Sequence, residues 1–217
     1  MKMKKLLESW NKFVVSEGMK MPEDLPSDVF VAIIDEGDVT VIKYVDEHGQ
    51  SSRGNIQGLV EITDDGGYGS CYGARTVTLS KASHGWGPLL YDVALEWVTQ
   101  RGEALAPDRE MVSSQAESVW DYYLKNRSDV ESKQLDDLKN TLTPQQVDNC
   151  AQTSAVKAGD RAGVKWHDTS VSKVYMKEKP TMINKLLDMD KLILPQEELY
   201  EEIVKGGLAD YMSEKDF

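Results

Sequence analysis

Apolar and polar positions alternate along the first third of the chain in four separate stretches. Val29–Asp35 (VFVAIID) is almost wholly apolar, while Val39–Val45 (VTVIKYV) and Gln57–Thr63 (QGLVEIT) alternate. Cys71–Ser80 sets Val77 and Leu79 between polar neighbours. Period-two patterning over β-branched residues predicts strands. Gly37–Asp38 separates the first two, and Asp64-Asp65-Gly66-Gly67 follows the third, supplying residues that tolerate positive φ in tight turns. An antiparallel meander of four strands is expected. The period then lengthens to that of a helix. Leu89, Leu90, Val93, Ala94 and Trp97 fall on one helical face, Pro88 suits a first turn, and Gly102 is the expected stop. A short fifth strand is expected over Ala104–Ala106, ended by Pro107. A second helix is expected over Ser113–Arg127, with Ser114 and Glu117 as its capping box. Ala116, Val119, Trp120, Tyr123 and Leu124 would form its buried face.

Outside this core the pattern is weaker. Residues 3–17 predict an amphipathic helix, with Leu6, Leu7, Trp10, Phe13 and Val14 on one face and Gly18 at its end. It is expected to dock on the protein's own core, the alternative being a partner's surface. Met21–Pro26 reads as a linker. Residues 128–165 are polar and read mostly as loop, Lys157–Gly163 included. Val171–Met176 is a candidate closing strand, and Thr181–Leu187 and Glu197–Lys205 predict short helices. The expected organisation is an N-terminal helix and linker over 1–27, a core over 28–130 and a polar extension over 131–217. The fold class is α+β, a mixed and mostly antiparallel sheet flanked by helices.

Charge narrows the partners. The 217-residue chain carries 25 Lys and Arg against 37 Asp and Glu, a net charge of −12, which repels phosphate backbones. Nucleic-acid binding is not expected. The acidic C-terminal run reads as a solvated face. The two cysteines, Cys71 and Cys150, form no C-x-x-C, and the three histidines have no metal-ligand spacing, so no metal site is expected. Free thiols in a reducing compartment are the expectation for the cysteines. No apolar run approaches a membrane span, and the basic N-terminal stretch lacks the apolar core of a signal peptide. A soluble protein is expected.

The candidate chemistry lies in ARTVTLSKASHGWGPLLYDVALEWVTQR, residues 74–101. A strand, a Gly-x-Gly turn and a helix place backbone N–H groups at the positive end of a helix, which is a general way to hold a phosphate. The residues expected at such a site are Leu79, Lys81, Ala82, His84, Gly85, Trp86 and Gly87. A turn that packs a helix closely on a sheet has the same pattern.

Four strands, a Gly-x-Gly turn and helix, a short strand and an aromatic second helix resemble the GNAT N-acetyltransferase fold over about residues 28–127. That family's diphosphate loop reads Gln/Arg-x-x-Gly-x-Gly/Ala. Here the segment is Ala82-Ser83-His84-Gly85-Trp86-Gly87, with Ala82 where the family has Gln or Arg. The resemblance implies acetyl-CoA as cofactor, with the pantetheine arm against the strand edge at Leu79. It also implies a donor on the second helix for the departing thiolate. The family's tyrosine position falls on Trp120, which leaves Tyr122 and Tyr123 as candidates. Tyr123 is the better placed, since it returns nearest to the face of Trp120. GPLLYDVALEW, APDREMVSSQAESVWDYYLKNRSDV and VDNCA are similar to GNAT-like proteins of tailed bacteriophages. That likeness implies a phage context, and with the fold resemblance two functions are expected: an acetyl-CoA-dependent N-acyltransferase, or a catalytically degenerate virion or assembly protein that contacts phage or host proteins. The place of action would be the host cytoplasm or the virion.

Overall fold

The computed structural model describes residues 19–51, 56–64, 66–139 and 141–194. Strands β1 (Phe30–Asp35), β2 (Val39–Val45), β3 (Gly58–Thr63) and β4 (Arg75–Ala82) run in sequence as the alternation predicts. Helix α1 (Gly87–Gln100), strand β5 (Leu105–Ala106) and helix α2 (Ser114–Asn126) follow. Then come strands β6 (Glu131–Gln134), β7 (Asp136–Asp137) and β8 (Asn149–Cys150), helix α3 (Thr153–Ala162), strand β9 (Lys173–Met176), helix α4 (Thr181–Asp188) and strand β10 (Leu192–Ile193). Eight strands make one curled sheet in the order β10-β1-β2-β3-β4-β5-β9-β6, and β7 and β8 make a second, small one. Neighbours in the large sheet are antiparallel except β1–β10 and β4–β5, which are parallel. The protein is therefore α+β with a mixed, mostly antiparallel sheet.

Register follows the apolar alternation. Ile33 pairs with Ile42 and Ile42 with Val60, so the residues that cannot face water lie side by side on one face. That face packs on α1, whose residues from Leu89 to Val98 are all buried. A helix buried all round has layers on both sides. The sheet covers one side of α1. On the other, α2 brings Trp120 and Tyr123 against Tyr91 and Asp92, and α4 packs alongside.

Two polar residues on this buried helix are held by charge. Glu96, fully buried, accepts from Lys177 Nζ and from the Met182 and Ile183 amides at 2.9 and 2.8 Å, and so caps the first turn of α4 from a neighbouring helix. Burial raises the Glu96 pKa, and Lys177 opposes the shift. Asp92 accepts from Arg127 through both oxygens at 3.0 Å and from Tyr123 Oη at 2.7 Å. Arg127 also holds Asp129, at 2.7 and 2.8 Å.

Several expectations are corrected. The fourth strand begins at Arg75 rather than Cys71, because Cys71 and Tyr72 take positive φ (44° and 56°) in a turn. The cap of α2 is Ser113, whose side chain accepts from the Ala116 amide at 3.2 Å, and not Ser114. Glu117, expected to close the capping box, instead accepts from Arg161 at 2.7 Å. The region read mostly as loop contains β6, β7, β8 and α3, and α3 ends at Gly163 in the left-handed conformation. The free thiols are overturned as well. Cys71 and Cys150 form a disulfide, with their Cα atoms 4.8 Å apart, because β8 lies beside the turn before β4, where Cys150 bridges to Gly69. The reducing compartment inferred from free thiols loses its basis. The expected helices over 3–17 and Glu197–Lys205 lie outside the described residues.

Replacing Lys177 by Met leaves the Glu96 carboxylate buried without its ammonium. Denaturant unfolding should show a loss of about 3 kcal/mol or more, and adding Glu96→Gln should recover part of it. Asp129 responds to acid. Hydrogen bonds from Arg127, the largest cause, hold its carboxyl down to about 2 against burial. Its contribution to stability is therefore full above the ordinary carboxylate range and is lost as pH falls toward 2. The side chain is half exposed, so the effect is screened. Thermal melts between pH 5 and pH 2 should show a shallower acid limb for Asp129→Asn than for the parent.

Candidate functional site

The sheet divides at β4. Strand β5 pairs with it only at Arg75–Leu105 and Thr76–Ala106. From Val77 to Ala82 the β5-facing edge of β4 carries no strand among the described residues. The β3–β4 ladder shifts register between Glu61 and Ile62, leaving Thr78 as the extra residue and bending β4 where the edge opens. Helix α2 stands across the gap. Between it and the end of β4 lies a cavity of about 500 Å³ with a largely apolar wall. Val119 and Tyr122 line it from α2, Leu59 and Val60 from β3, and Met19 from the N-terminal side.

The loop from Ser83 to Gly87 closes one end. Two of its amides are used internally: Ser83 donates to Gln57 O at 2.7 Å and Trp86 to Ser83 O at 3.0 Å. The His84, Gly85 and Gly87 amides have no acceptor among the described residues. They sit at the start of α1, where the helix leaves its first N–H groups unpaired and Pro88 has none. Gly85 takes φ of 81°, a conformation that favours glycine. Its carbonyl accepts from the Lys20 amide at 3.0 Å, which fixes the loop against the N-terminal segment.

Lys81, Ala82, His84, Gly85, Gly87 and Tyr122 line the cavity, and three residues from the sequence reading do not. Leu79 is half exposed, opposite Glu61 on the sheet face away from α1. Trp86 is buried, edge-on to Tyr44, whose hydroxyl donates to the Trp86 carbonyl at 2.8 Å. Tyr123 is sealed in the core beside Trp120 and Tyr175, where burial and Asp92 push its hydroxyl well above the usual tyrosine range. Tyr123 returns to the face of Trp120, but that face is the core, and Tyr122 is the one at the cavity.

Carboxylates of the sheet, of α1 and of the loop after β5 are engaged. Asp92 holds Arg127 and Tyr123, Asp35 pairs with Arg101 at 2.9 Å, and Glu61 accepts from Thr78 at 2.8 Å. Asp108 caps the Glu110 and Met111 amides. Arg109 is fully buried, donating to the Pro107 and Val171 carbonyls, and burial lowers its pKa to about 10. Among the described residues no group of three or more His, Cys, Asp or Glu is arranged to hold a metal, and no helix is long and apolar enough to cross a membrane.

The sequence reading missed Ser80 and Tyr91. Tyr91 Oη donates to Ser80 Oγ at 2.9 Å inside the cavity, and burial raises the tyrosine's pKa against the opposing pull of Ser80. The spacing Gln115, Ser118, Val119, Tyr122 was a detectable signal: it is a second stripe of α2, adjacent to the apolar one. Comparison with protein-family models, curated proteins and solved structures yields no match to this chain.

The two adjacent tyrosines should separate experimentally. Tyr123→Phe removes a buried donor to Asp92 and should lower unfolding stability by about 1–2 kcal/mol. Tyr122→Phe, at the cavity, should change stability by less than about 0.5 kcal/mol.

Proposed function

We propose that the cavity between β4 and α2 holds the diphosphate and pantetheine arm of acetyl-CoA, and that the protein is a GNAT-fold N-acyltransferase. The phage context rests on the sequence resemblance. The observation that carries the proposal is the coincidence, among the described residues, of an unpaired strand edge with three loop amides that have no acceptor, at one cavity. The edge at Ser80–Ala82, which lines the cavity, offers backbone groups to the pantetheine amides, as it would to an added strand. The His84, Gly85 and Gly87 amides suit a diphosphate, with Lys81 adding positive charge nearby. The apolar wall suits the aliphatic part of the arm.

In this reading the acceptor amine would attack the thioester carbonyl, its nitrogen would lose a proton to water as the carbon–nitrogen bond forms, and the carbon–sulfur bond would break with its electron pair on sulfur. Holding the two reactants in line supplies most of the rate. Tyr122 is the titratable hydroxyl of α2 at the cavity and gives the thiolate its proton. A second reading has its own support. Ala82 supplies no side-chain donor where the resembled family has Gln or Arg, and Trp120 is closed into the core. These departures fit a virion or assembly protein that keeps the scaffold and works through protein contacts.

Calorimetry with acetyl-CoA distinguishes the two. The transferase reading expects micromolar binding that is lost in Gly87→Trp. Ala82→Arg should tighten it about tenfold through a charge-assisted contact worth about 1.4 kcal/mol. No heat at millimolar ligand favours the scaffold. If binding is present, unchanged turnover in Tyr122→Phe removes that residue as the acid.

A further inference from the structure

We propose that Cys71–Cys150 is a redox lock on the point where the sheet divides. The disulfide shares a buried cluster with residues on both sides of the β4–β5 junction. Cys71 and Cys150 pack in one buried cluster with Ala74, Ala104, Ala106 and Val174. That cluster contains the residue before β4, one residue of β5 and one of β9. The junction itself is slight: two residue pairs, the bond from the Arg75 amide to Ala104 O at 2.9 Å, and the Arg75–Glu103 ion pair at 2.9 Å. With so few ladder bonds, the angle between β4 and β5 depends on what fills the space beneath them.

The segment leading into β4 does not hold itself in place. Gly69, Cys71, Tyr72 and Gly73 all have positive φ, and two of the four have side chains that disfavour it. Gly69 bridges to Cys150 so closely that a Cβ there would meet the Asn149 carbonyl at 2.5 Å. The Tyr72 amide donates to Val147 O and the Ala151 amide to Tyr68 O, both at 2.7 Å. The opposing sheet has only two residues in each strand. The covalent bond spans 79 residues of sequence and joins the two halves of this small lobe. Remove it, and the unfavourable dihedrals at Cys71 and Tyr72 are opposed by a handful of hydrogen bonds.

Both sulfurs are buried, so reduction proceeds through local opening of the lobe. A dithiol reductant is the co-reactant. Its thiolate attacks one protein sulfur, the Cys71–Cys150 bond breaks, and the displaced sulfur takes a proton. The second reductant thiol then releases the other cysteine. Two electrons pass to the protein, which ends with two thiols, and the reductant ends as a disulfide. The expected result is a looser β4–β5 junction and a wider gap beside it. The lock does not rest on the acyl-CoA reading; only its effect on that ligand does.

Hydrogen exchange on the full chain, oxidised and then treated with dithiothreitol, tests this directly. Reduction should lower the melting temperature by about 10 °C, as release of a long closed loop implies. It should speed exchange at Tyr72, Arg75 and Ala106 at least tenfold, leave the β1–β2 ladder unchanged, and reverse on reoxidation. Cys71→Ser with Cys150→Ser should behave as the reduced chain. The proposal is overturned by two reactive thiols in protein handled without reductant, or by exchange at Arg75 and Ala106 that ignores reduction. Acetyl-CoA titrated against both forms is read separately. Binding weakened at least fivefold on reduction extends the lock to that ligand. Binding to neither form would count against the cofactor reading, while the exchange data would still decide the lock.

Discussion

Strand β4 is paired from Thr76 to Ala82, apart from the extra residue Thr78, on one side and, among the described residues, for only two residues on the other, and the rest of the molecule is arranged around that asymmetry. A sheet edge inside a domain leaves backbone groups that must find water, a ligand or another strand. Here the edge is kept open by what flanks it. The extra residue at Thr78 bends the strand, α2 stands off across the gap, and the lobe closed by Cys71–Cys150 fills the space beneath the remaining contacts. The cavity results from one strand pair that stops early.

The elements around that gap are tied together by buried charge as well as apolar packing. Helix α1 carries Asp92 and Glu96 where both are out of water, and each is matched from a different part of the chain. Arg127 at the end of α2 takes the first, and Lys177 with the start of α4 takes the second. These contacts tie residues far apart in sequence to the helix that begins at the Gly-x-Gly loop. Removing one partner of a buried pair costs more than the pair itself contributes, so the network acts mainly as a constraint on arrangement.

Much of the core was legible because its signals are local. Alternation gave β1 to β3, the longer period with Pro88 gave α1, and Ala104–Ala106 gave β5 to within a residue. The later part was not, because its structure depends on distant partners. Strand β6 reads ESKQ, with no apolar alternation, and exists because β9 pairs with it. Helix α3 reads TSAVKAGDRA, where small and charged residues hide a buried face of Ser154, Ala155, Ala158 and Gly159. The disulfide could not be read from two distant cysteines, since nothing local shows that Cys150 returns to Gly69. At the candidate site, the loop residues were found by their glycines. Tyr123 was ranked above Tyr122 because helical position says which residues share a face, and not whether that face is the core or the cavity. Ser80 and Tyr91 belong to different elements, so their contact appears only in the fold.

We propose that the loop amides of His84, Gly85 and Gly87, without an acceptor among the described residues, and the adjoining edge of β4 take one ligand together. Amide chemical-shift mapping on isotope-labelled protein, titrated with acetyl-CoA, tests it most directly. The account predicts saturable shifts at the His84, Gly85 and Gly87 amides and along Val77–Ala82, with little change on β1. Shifts confined to another surface, or none at millimolar ligand, would contradict it.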